Sequence, residues 1–378
     1  MKYVFLLCIV LGFGWSPTTA LAQPAQEFNE IVRGEVLRIL ETFERPIAGT
    51  DAVGNIQELQ VELLSGPGAG NIVVFENEAV QLEVGDVFFL NHLTMLSGEE
   101  IFLYRDVDRR ASLAILGALF VALMIGFAGW QGVRALGSLG LSIGAILFVL
   151  VPALLAGYSA VWVSLGVAGV ILAIVLFGTH GFRPHVVTAF IGTWSAVLVT
   201  CIIAAWWVGA MRLSGFGTDA SVYLNFATDG RLDFSGLLLG GIIIGILGVL
   251  DDVSITQASV VQELKAANAS LGWRELYTRA IRVGRDHVAS LVNTLALAYV
   301  GVALPLVLFL ATSQAPVGEL LNQEVVAAEL TRIIIGSIGL ILAVPFTTIL
   351  AASWFGTRGV APGSDVPHAA CGHAHHNH

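Results

Sequence analysis

The sequence predicts an all-α membrane bundle of about seven transmembrane helices, preceded by a small, β-rich extracytoplasmic domain. Three observations predict it. Of 378 residues, 56% are hydrophobic and 12% charged, and the mean hydropathy is +0.81, a balance that soluble domains do not show. Apolar segments recur at about the ~20 residues that a helix needs to cross a bilayer. Ahead of the first of them, residues 28–105 carry short β-rich runs separated by turn residues.

Residues 1–22 have the pattern of a secretory signal. Lys2 supplies the charged n-region, Tyr3–Gly14 the apolar h-region, and Ala20-Leu21-Ala22 a cleavage site before Gln23. An uncleaved anchor helix is the alternative, and the apolar core is short for it. A signal places the next segment outside the cytoplasm. In that segment Val32, Gly34, Val36 and Ile39 mark a first strand. Further runs follow at Glu58–Leu64, Asn71–Phe75, Val87–Asn91 and Glu100–Tyr104. Gly66-Pro67-Gly68-Ala69-Gly70 and Gly85-Asp86 separate some of them, and five such strands predict a small open barrel of OB-like type. The domain carries no nucleophile motif, His/Cys cluster or phosphate loop, so a lid, docking or assembly role is expected of it.

Arg105-Asp106-Val107-Asp108-Arg109-Arg110 marks the membrane boundary. The transmembrane domain then covers 111–355, with apolar segments at 111–129, 136–155, 158–177, 186–209, 235–257, 288–311 and 332–355. With the β-rich domain outside, cytoplasmic stretches hold Arg134, Arg183, Lys265, Arg274, Arg279, Arg282, Arg285 and Arg358, against Arg212, Arg231 and Arg332 in the outer loops. That asymmetry follows the positive-inside rule and leaves the C-terminus inside. The outer loop 312–331, with Glu319, Glu324 and Glu329, is expected to be a short solvated helix. Cys8, Cys201 and Cys371 lie in three unrelated segments, so no disulfide framework is expected. The formal charge of −10 and the lack of basic stretches with interleaved aromatics argue against nucleic-acid binding.

The chemistry concentrates in 236–263, GLLLGGIIIGILGVLDDVSITQASVVQE. At 100° per residue Gly241, Gly245, Gly248, Asp252, Thr256, Ser259 and Glu263 share one stripe, with Asp251 and Gln262 beside it and Gln257 pointing away. The glycines are expected to pack a neighbouring helix, at the spacing Gly241-x-x-x-Gly245. An acid at a helix centre costs roughly 2.5–3.5 kcal/mol on insertion scales, so Asp251 and Asp252 mark a functional site. A helix that merely ends at Asp251, with its polar residues in water, is the plainer reading; the phase match between small and polar residues argues against it.

Other ionisable groups fall on the same side. Thr179-His180-Gly181-Phe182-Arg183-Pro184-His185 joins two spans, and Gly284-Arg285-Asp286-His287 starts another, along which Asp286, Ser290 and Asn293 share a face with Thr294 beside it. Carboxylates, hydroxyls and amides are hard donors suited to Na⁺, Mg²⁺, Ca²⁺ or Mn²⁺. Two adjacent aspartates also suit a shared proton, with His180, His185 or His287 as a relay. Interhelical hydrogen bonding explains Asn293 equally well, and Arg183 or Arg285 beside Asp251 would make the cluster structural. Residues 264–286 form a basic connector. Trp273, Leu276, Tyr277 and Ile281 at helical spacing predict an amphipathic helix on the inner membrane surface, acting as a topology anchor. The tail 356–378 holds His373, His375, His376 and His378 near Cys371, a composition able to bind Zn²⁺, Ni²⁺ or Cu²⁺.

Two stretches, GILGVLDDVSITQASVV at Gly245–Val261 and GRDHVASLVNTLALAYVGVAL at Gly284–Leu304, resemble the YibE/F-like membrane protein family. The resemblance runs over about residues 30–355 and leaves out the leader and the His-rich tail. It implies a bacterial integral membrane protein, hence an inner-membrane location, and supplies no catalytic or ligand residues.

The expected function is transport of a small cation or of a proton-coupled solute, in the lipid bilayer, without an enzymatic activity or a cofactor, in a chain that could form a homo-oligomer. Asp251, Asp252, Thr256, Ser259, Asp286, His287 and Asn293 are its candidate ion-binding residues. No inverted repeat is visible, which weighs against it. A non-transporting scaffold that docks a partner through the β-rich domain is the alternative. An intramembrane aspartyl hydrolase ranks last, because adjacent residues of one helix point about 100° apart and only Asp252 with Asp286 could make a dyad.

Overall fold

A computed structural model describes residues 28–46, 53–66, 68–95 and 100–357. The leader with Cys8, and the tail with Cys371 and the proposed metal ligands His373, His375, His376 and His378, lie outside them. The chain divides between Phe120 and Val121 into two units.

The first unit holds five strands: β1 (Phe28–Pro46), β2 (Val53–Leu63), β3 (Ile72–Asn77), β4 (Val87–Thr94) and β5 (Glu100–Val107). All neighbours pair antiparallel in the order β3-β2-β1-β4-β5. The long central β1 carries two register shifts, between Val36 and Arg38 and between Ile39 and Glu41. Bulges of this kind bend a strand and sharpen its twist. The sheet curls into a half-barrel whose edges β3 and β5 approach each other. Alternation places Val32, Val36, Leu59, Val61, Leu63, Phe88 and Leu90 inside. The rings of Phe75 and Tyr104 stand 5.9 and 6.0 Å from that of Phe88, linking β3, β4 and β5 across the core. Buried Gln57 pins the loop before β4: its amide donates to the Leu82 carbonyl at 3.0 Å, and its carbonyl accepts from the Leu82 N–H at 2.8 Å.

Helices follow. Apolar composition carries α1 (Arg110–Ala145), a π turn (Ile146–Leu150) and α2 (Val151–Leu155) as one run of 46 residues, about twice the length a span requires. The run is broken at Gly129, whose φ of 55° and ψ of −133° no helix contains. A Cβ on Gly132 would stand 2.5 Å from the Met124 carbonyl oxygen, eight residues back. In a straight helix those residues lie about 12 Å apart, so the backbone turns sharply on itself at this glycine. The sequence pattern expected a loop here; a single residue makes the break.

The bundle proper consists of α3 (Ala160–His180), α4 (Pro184–Ala210), α6 (Phe234–Ala267), α7 (Trp273–Val302) and α10 (Glu324–Thr357), with short α5 (Asp219–Ala227), α8 (Leu304–Thr312) and α9 (Val317–Asn322) between them. Pro305 starts α8, which bends 68° from α7. Among the described residues, five helices are long and apolar enough to cross a membrane, or six if the bent α7–α8 pair makes one span. Helix α10 is the hub, packed on α4, α6 and α7. Contacts set the directions. Ile246 of α6 meets Gly336 and Gly339 of α10, and Gln257 meets Thr348, so α6 and α10 run parallel. Gly192 of α4 meets Thr347 and Thr200 meets Gly339, so α4 runs the other way.

Two expectations are corrected here. The connector 264–286 is not a separate surface helix. Its first residues end α6, a turn over Asn268–Gly272 follows, and Trp273 opens α7, which continues unbroken to Val302. Its apolar face, with Leu276, Ala280 and Gly284 buried, lies in the bundle against α10 instead of on lipid headgroups. Buried Lys265 closes the turn: its ammonium donates to the carbonyls of Ala269 and Leu271 at 2.8 and 2.9 Å. The acidic outer loop likewise does more than solvate a helix. Glu324 begins α10, and its carboxylate accepts from the Ser214 N–H at 2.9 Å, the Ser214 hydroxyl at 2.6 Å and the Gly215 N–H at 2.8 Å.

Candidate functional site

Helix α6 has two polar stripes. The outer one is the stripe that the sequence singles out. Gly241, Gly245, Gly248, Asp252, Thr256 and Glu263 are exposed from this chain, and Asp251 and Ser259 are half-buried at its flank. The Asp251 carboxylate accepts from the Asp252 N–H at 2.9 Å, and the Ser259 hydroxyl donates to the Ile255 carbonyl at 2.8 Å. Among the described residues, Gly241 and Gly248 pack against no helix, and Gly245 meets α7 only at one side-chain tip. A Cβ on Gly241 or Gly248 would meet open space, and one on Gly245 only the Tyr299 hydroxyl at 3.2 Å. The helix contact falls to their neighbours: Gly236-x-x-x-Gly240 fits against Ala160 and Ser164 of α3. Glycines 240 and 241 are adjacent, and periodicity alone does not tell which faces a partner.

On α7, Asp286, His287, Ser290, Asn293 and Thr294 are likewise exposed. Among the described residues, no hydrogen bond or ion pair joins Asp286, His287 or Asn293 to Asp251 or Asp252. The Thr294 hydroxyl turns back to the Ser290 carbonyl at 3.1 Å.

The inner stripe is the one that sequence reasoning passed over. Gln257, which the outer stripe leaves pointing away, is 3% exposed. Its amide donates to the Ala280 carbonyl of α7 at 2.9 Å and to the Thr348 hydroxyl of α10 at 2.8 Å. That hydroxyl in turn donates to the Val344 carbonyl at 2.6 Å. Gly284 leaves room for the Gln257 side chain, since a Cβ there would stand 2.8 Å from its amide oxygen. Ser254 lies one turn before Gln257, fully buried, and Thr347 neighbours Thr348 on α10. Among the described residues, the hydroxyls of Ser254 and Thr347 have no hydrogen-bond partner. Leaving such a group unpaired costs about 1–3 kcal/mol. Opposite them α4 buries Thr200, Thr193, Thr188 and His185 along one side. These four span 16 residues of helix, about 22 Å of rise.

At the end of this column the chain reverses between α3 and α4. Gly181, with φ of 76°, ends α3, and Pro184 opens α4. The reversal presses His180 and His185 inward. His185 is 9% exposed, with Gln262 of α6 at its ring and Glu263, Arg183 and His180 within electrostatic reach. His180 is half-buried and feels Asp252 and Arg183. The Leu176 carbonyl, one turn back on α3, faces the His180 ring, and among the described residues the Nδ1 atoms of both rings are buried without a partner at hydrogen-bond geometry. Among the described residues no three His, Cys, Asp or Glu side chains come together in a way that could hold a metal ion.

A family model described as YibE/F-like protein matches residues 116–357, which takes in nearly all of the helical region and leaves the β-rich domain outside the match. No curated protein and no solved structure matches the chain.

Proposed function

Because the chain belongs to the YibE/F-like family, with the match spanning nearly all of its apolar helices, we propose that it is a bacterial inner-membrane transport protein for a small cation or a proton-coupled solute, and not an enzyme. One observation carries this reading. The buried side of α4 holds His185, Thr188, Thr193 and Thr200 over most of the ~30 Å of a hydrocarbon core, facing Ser254 and Gln257 of α6 and Thr347 and Thr348 of α10. The hydroxyls of Thr188, Thr193, Thr200 and Thr348 turn back to carbonyls of their own helices, whereas those of Ser254 and Thr347 are unpartnered among the described residues, and such a column fits a path along which a hydrophilic species is passed. Asp251, half-buried at the flank of α6, and the exposed Asp252 supply charge just ahead of Ser254 on that helix. In this reading the break at Gly129 divides the first apolar run into two spans, the β-rich domain lies outside, and the His180–His185 reversal faces the cytoplasm, in keeping with the positive-inside count.

The test is flux in proteoliposomes across H⁺, Na⁺, Mg²⁺, Ca²⁺ and Mn²⁺, with wild type beside Asp251→Asn, Asp252→Asn and Ser254→Ala. Flux that falls at least tenfold in one or more variants of normal stability supports the reading. Well-folded wild-type protein that moves none of these ions, alone or with a pH gradient, removes it.

The outer stripe favours a second reading, a scaffold or accessory subunit. Gly241, Gly248, Asp252 and Thr256 form a face that no helix covers among the described residues, and it suits a partner helix or a second copy. Crosslinking from a cysteine placed at Gly248 that recovers a stable partner from protein without flux activity would favour it.

A further inference from the structure

The His180–His185 reversal uses neither histidine to make its turn. Gly181 provides the left-handed backbone and Pro184 the helix start. Both imidazoles are nevertheless brought inward, and among the described residues each keeps a buried Nδ1 with no partner at hydrogen-bond geometry. A buried histidine that serves packing alone is ordinarily satisfied at its ring nitrogens. Polar groups surround the two rings, beginning with the Leu176 carbonyl of α3 at His180. Helix α6 contributes Asp252, Gln262 and Glu263, the turn contributes Arg183, and α3 and α4 contribute the two rings to each other. This set contains the right residue types for a transition metal but not the spacing, since no three of them converge. Proton transfer makes a weaker geometric demand, because one water bridges a gap that a metal–ligand bond does not.

We propose that His180 and His185 are a proton-transfer station between the exposed carboxylates of Glu263 and Asp252, beside the His185 end of the buried polar column. This rests on the transport reading and names its coupling ion. A proton held by Glu263 passes by way of water to a nitrogen of the neutral His185 ring. The ring releases a proton from its other nitrogen to His180, which repeats the exchange and delivers one to the Asp252 carboxylate. Each ring ends neutral with its tautomer exchanged, and one proton has moved from one carboxyl to the other. No hydrogen bond links His180 to Asp252 directly among the described residues, so water carries that step too. Gln262 positions the His185 ring and does not itself gain or lose a proton.

The experiment uses full-length protein in liposomes with trapped pyranine, an imposed pH gradient, and potassium with valinomycin to clamp the potential. Wild type, His180→Gln and His185→Gln are compared for the rate of internal pH change, and each is checked for monodispersity and thermal stability. At least a tenfold loss of proton flux in each variant is expected. Wild-type rates in both variants overturn the relay and leave the transport reading standing. So does wild-type movement of Na⁺, Mg²⁺, Ca²⁺ or Mn²⁺ without proton movement. Wild type that moves nothing overturns both. Should the variants fold poorly, ¹⁵N NMR of histidine-labelled wild type in liposomes decides instead. Two rings that gain and lose a proton between about pH 5 and 8 support the station, and two rings fixed in one neutral tautomer across that range overturn it.

Discussion

The side-chain amide of Gln257 donates to the hydroxyl of Thr348 at 2.8 Å, and so ties the C-terminal half of α6 to that of α10. Its second hydrogen bond, to the Ala280 carbonyl, adds α7 to the same joint. Hydrophobic burial does not hold helices together where the surroundings are as apolar as the side chains. A polar joint and close backbone approach therefore take the place of an aqueous core's driving force.

Replacing Gln257 by Leu removes that joint and leaves Thr348 with only its own helix. The expected cost is about 1–3 kcal/mol, read as a lower Tm in detergent or liposomes. Asp252→Asn, on the exposed side of the same helix, should shift stability by less than about 0.5 kcal/mol. Equal losses in the two variants would refute the inside–outside assignment of α6.

The adjacent glycines give a second contrast on that helix. A side chain at Gly240 runs into Ser164 of α3, whereas one at Gly241 enters open space. Gly240→Leu should therefore cost at least about 1–3 kcal/mol as an overpacked contact, while Gly241→Leu leaves the fold of the chain intact. If Gly241→Leu keeps Tm yet abolishes a crosslinked assembly, that face belongs to a partner.

Glu324 anchors the segment after α4 through three hydrogen bonds to Ser214 and Gly215. Glu324→Ala should free that segment and raise its rate of cleavage in limited proteolysis near residues 212–218. The stability loss should be about 1.5–3 kcal/mol, the range for hydrogen bonds to a charged group. Unchanged cleavage would show that packing, not the carboxylate, holds the loop.

Acid should act first on the β-rich unit. The Asp108 carboxyl, 9% exposed, pairs with Arg110 at 2.6 Å and Arg33 at 3.1 Å. The hydrogen bond from Arg110, aided by the charge of Arg33, holds it well below the usual carboxylate range. A depressed carboxyl stabilises the fold fully above its unfolded value of about 3.9 and loses that contribution as pH falls towards its folded value. Hydrogen exchange at β1 and β4 should therefore quicken below about pH 4 in wild type. Asp108→Asn should exchange faster at neutral pH and show less further change on acidification. A variant with the wild-type pH profile would rule out this pair as the source.

Particular residues show how far sequence reasoning reaches. The five strands were legible because alternation at Val32, Val36, Leu59, Val61 and Leu63 is a local property, as are the glycine turns between them. The apolar segments, and the acid pair at Asp251 and Asp252, were equally plain, since length and composition need no neighbour. The connector at 264–286 was read as amphipathic and is so, but the same apolar face fits a membrane surface or α10, and nothing within the segment distinguishes them.

What the sequence by itself determined is the class of the protein, the order of its elements, its family motifs and the relative angles of residues around each helix. Only the tertiary structure decided which of the two polar stripes of α6 lies inside. A repeat of 100° places Gln257 opposite the Asp252 stripe but sets no absolute direction. The direction came from α4, α7 and α10, whose close approach at Gly192, Gly284 and Gly339 requires that Ser254 and Gln257 turn inward. The same packing turned Asp252 and Thr256 out and brought His180 and His185, from a turn distant in sequence, against the far end of that helix.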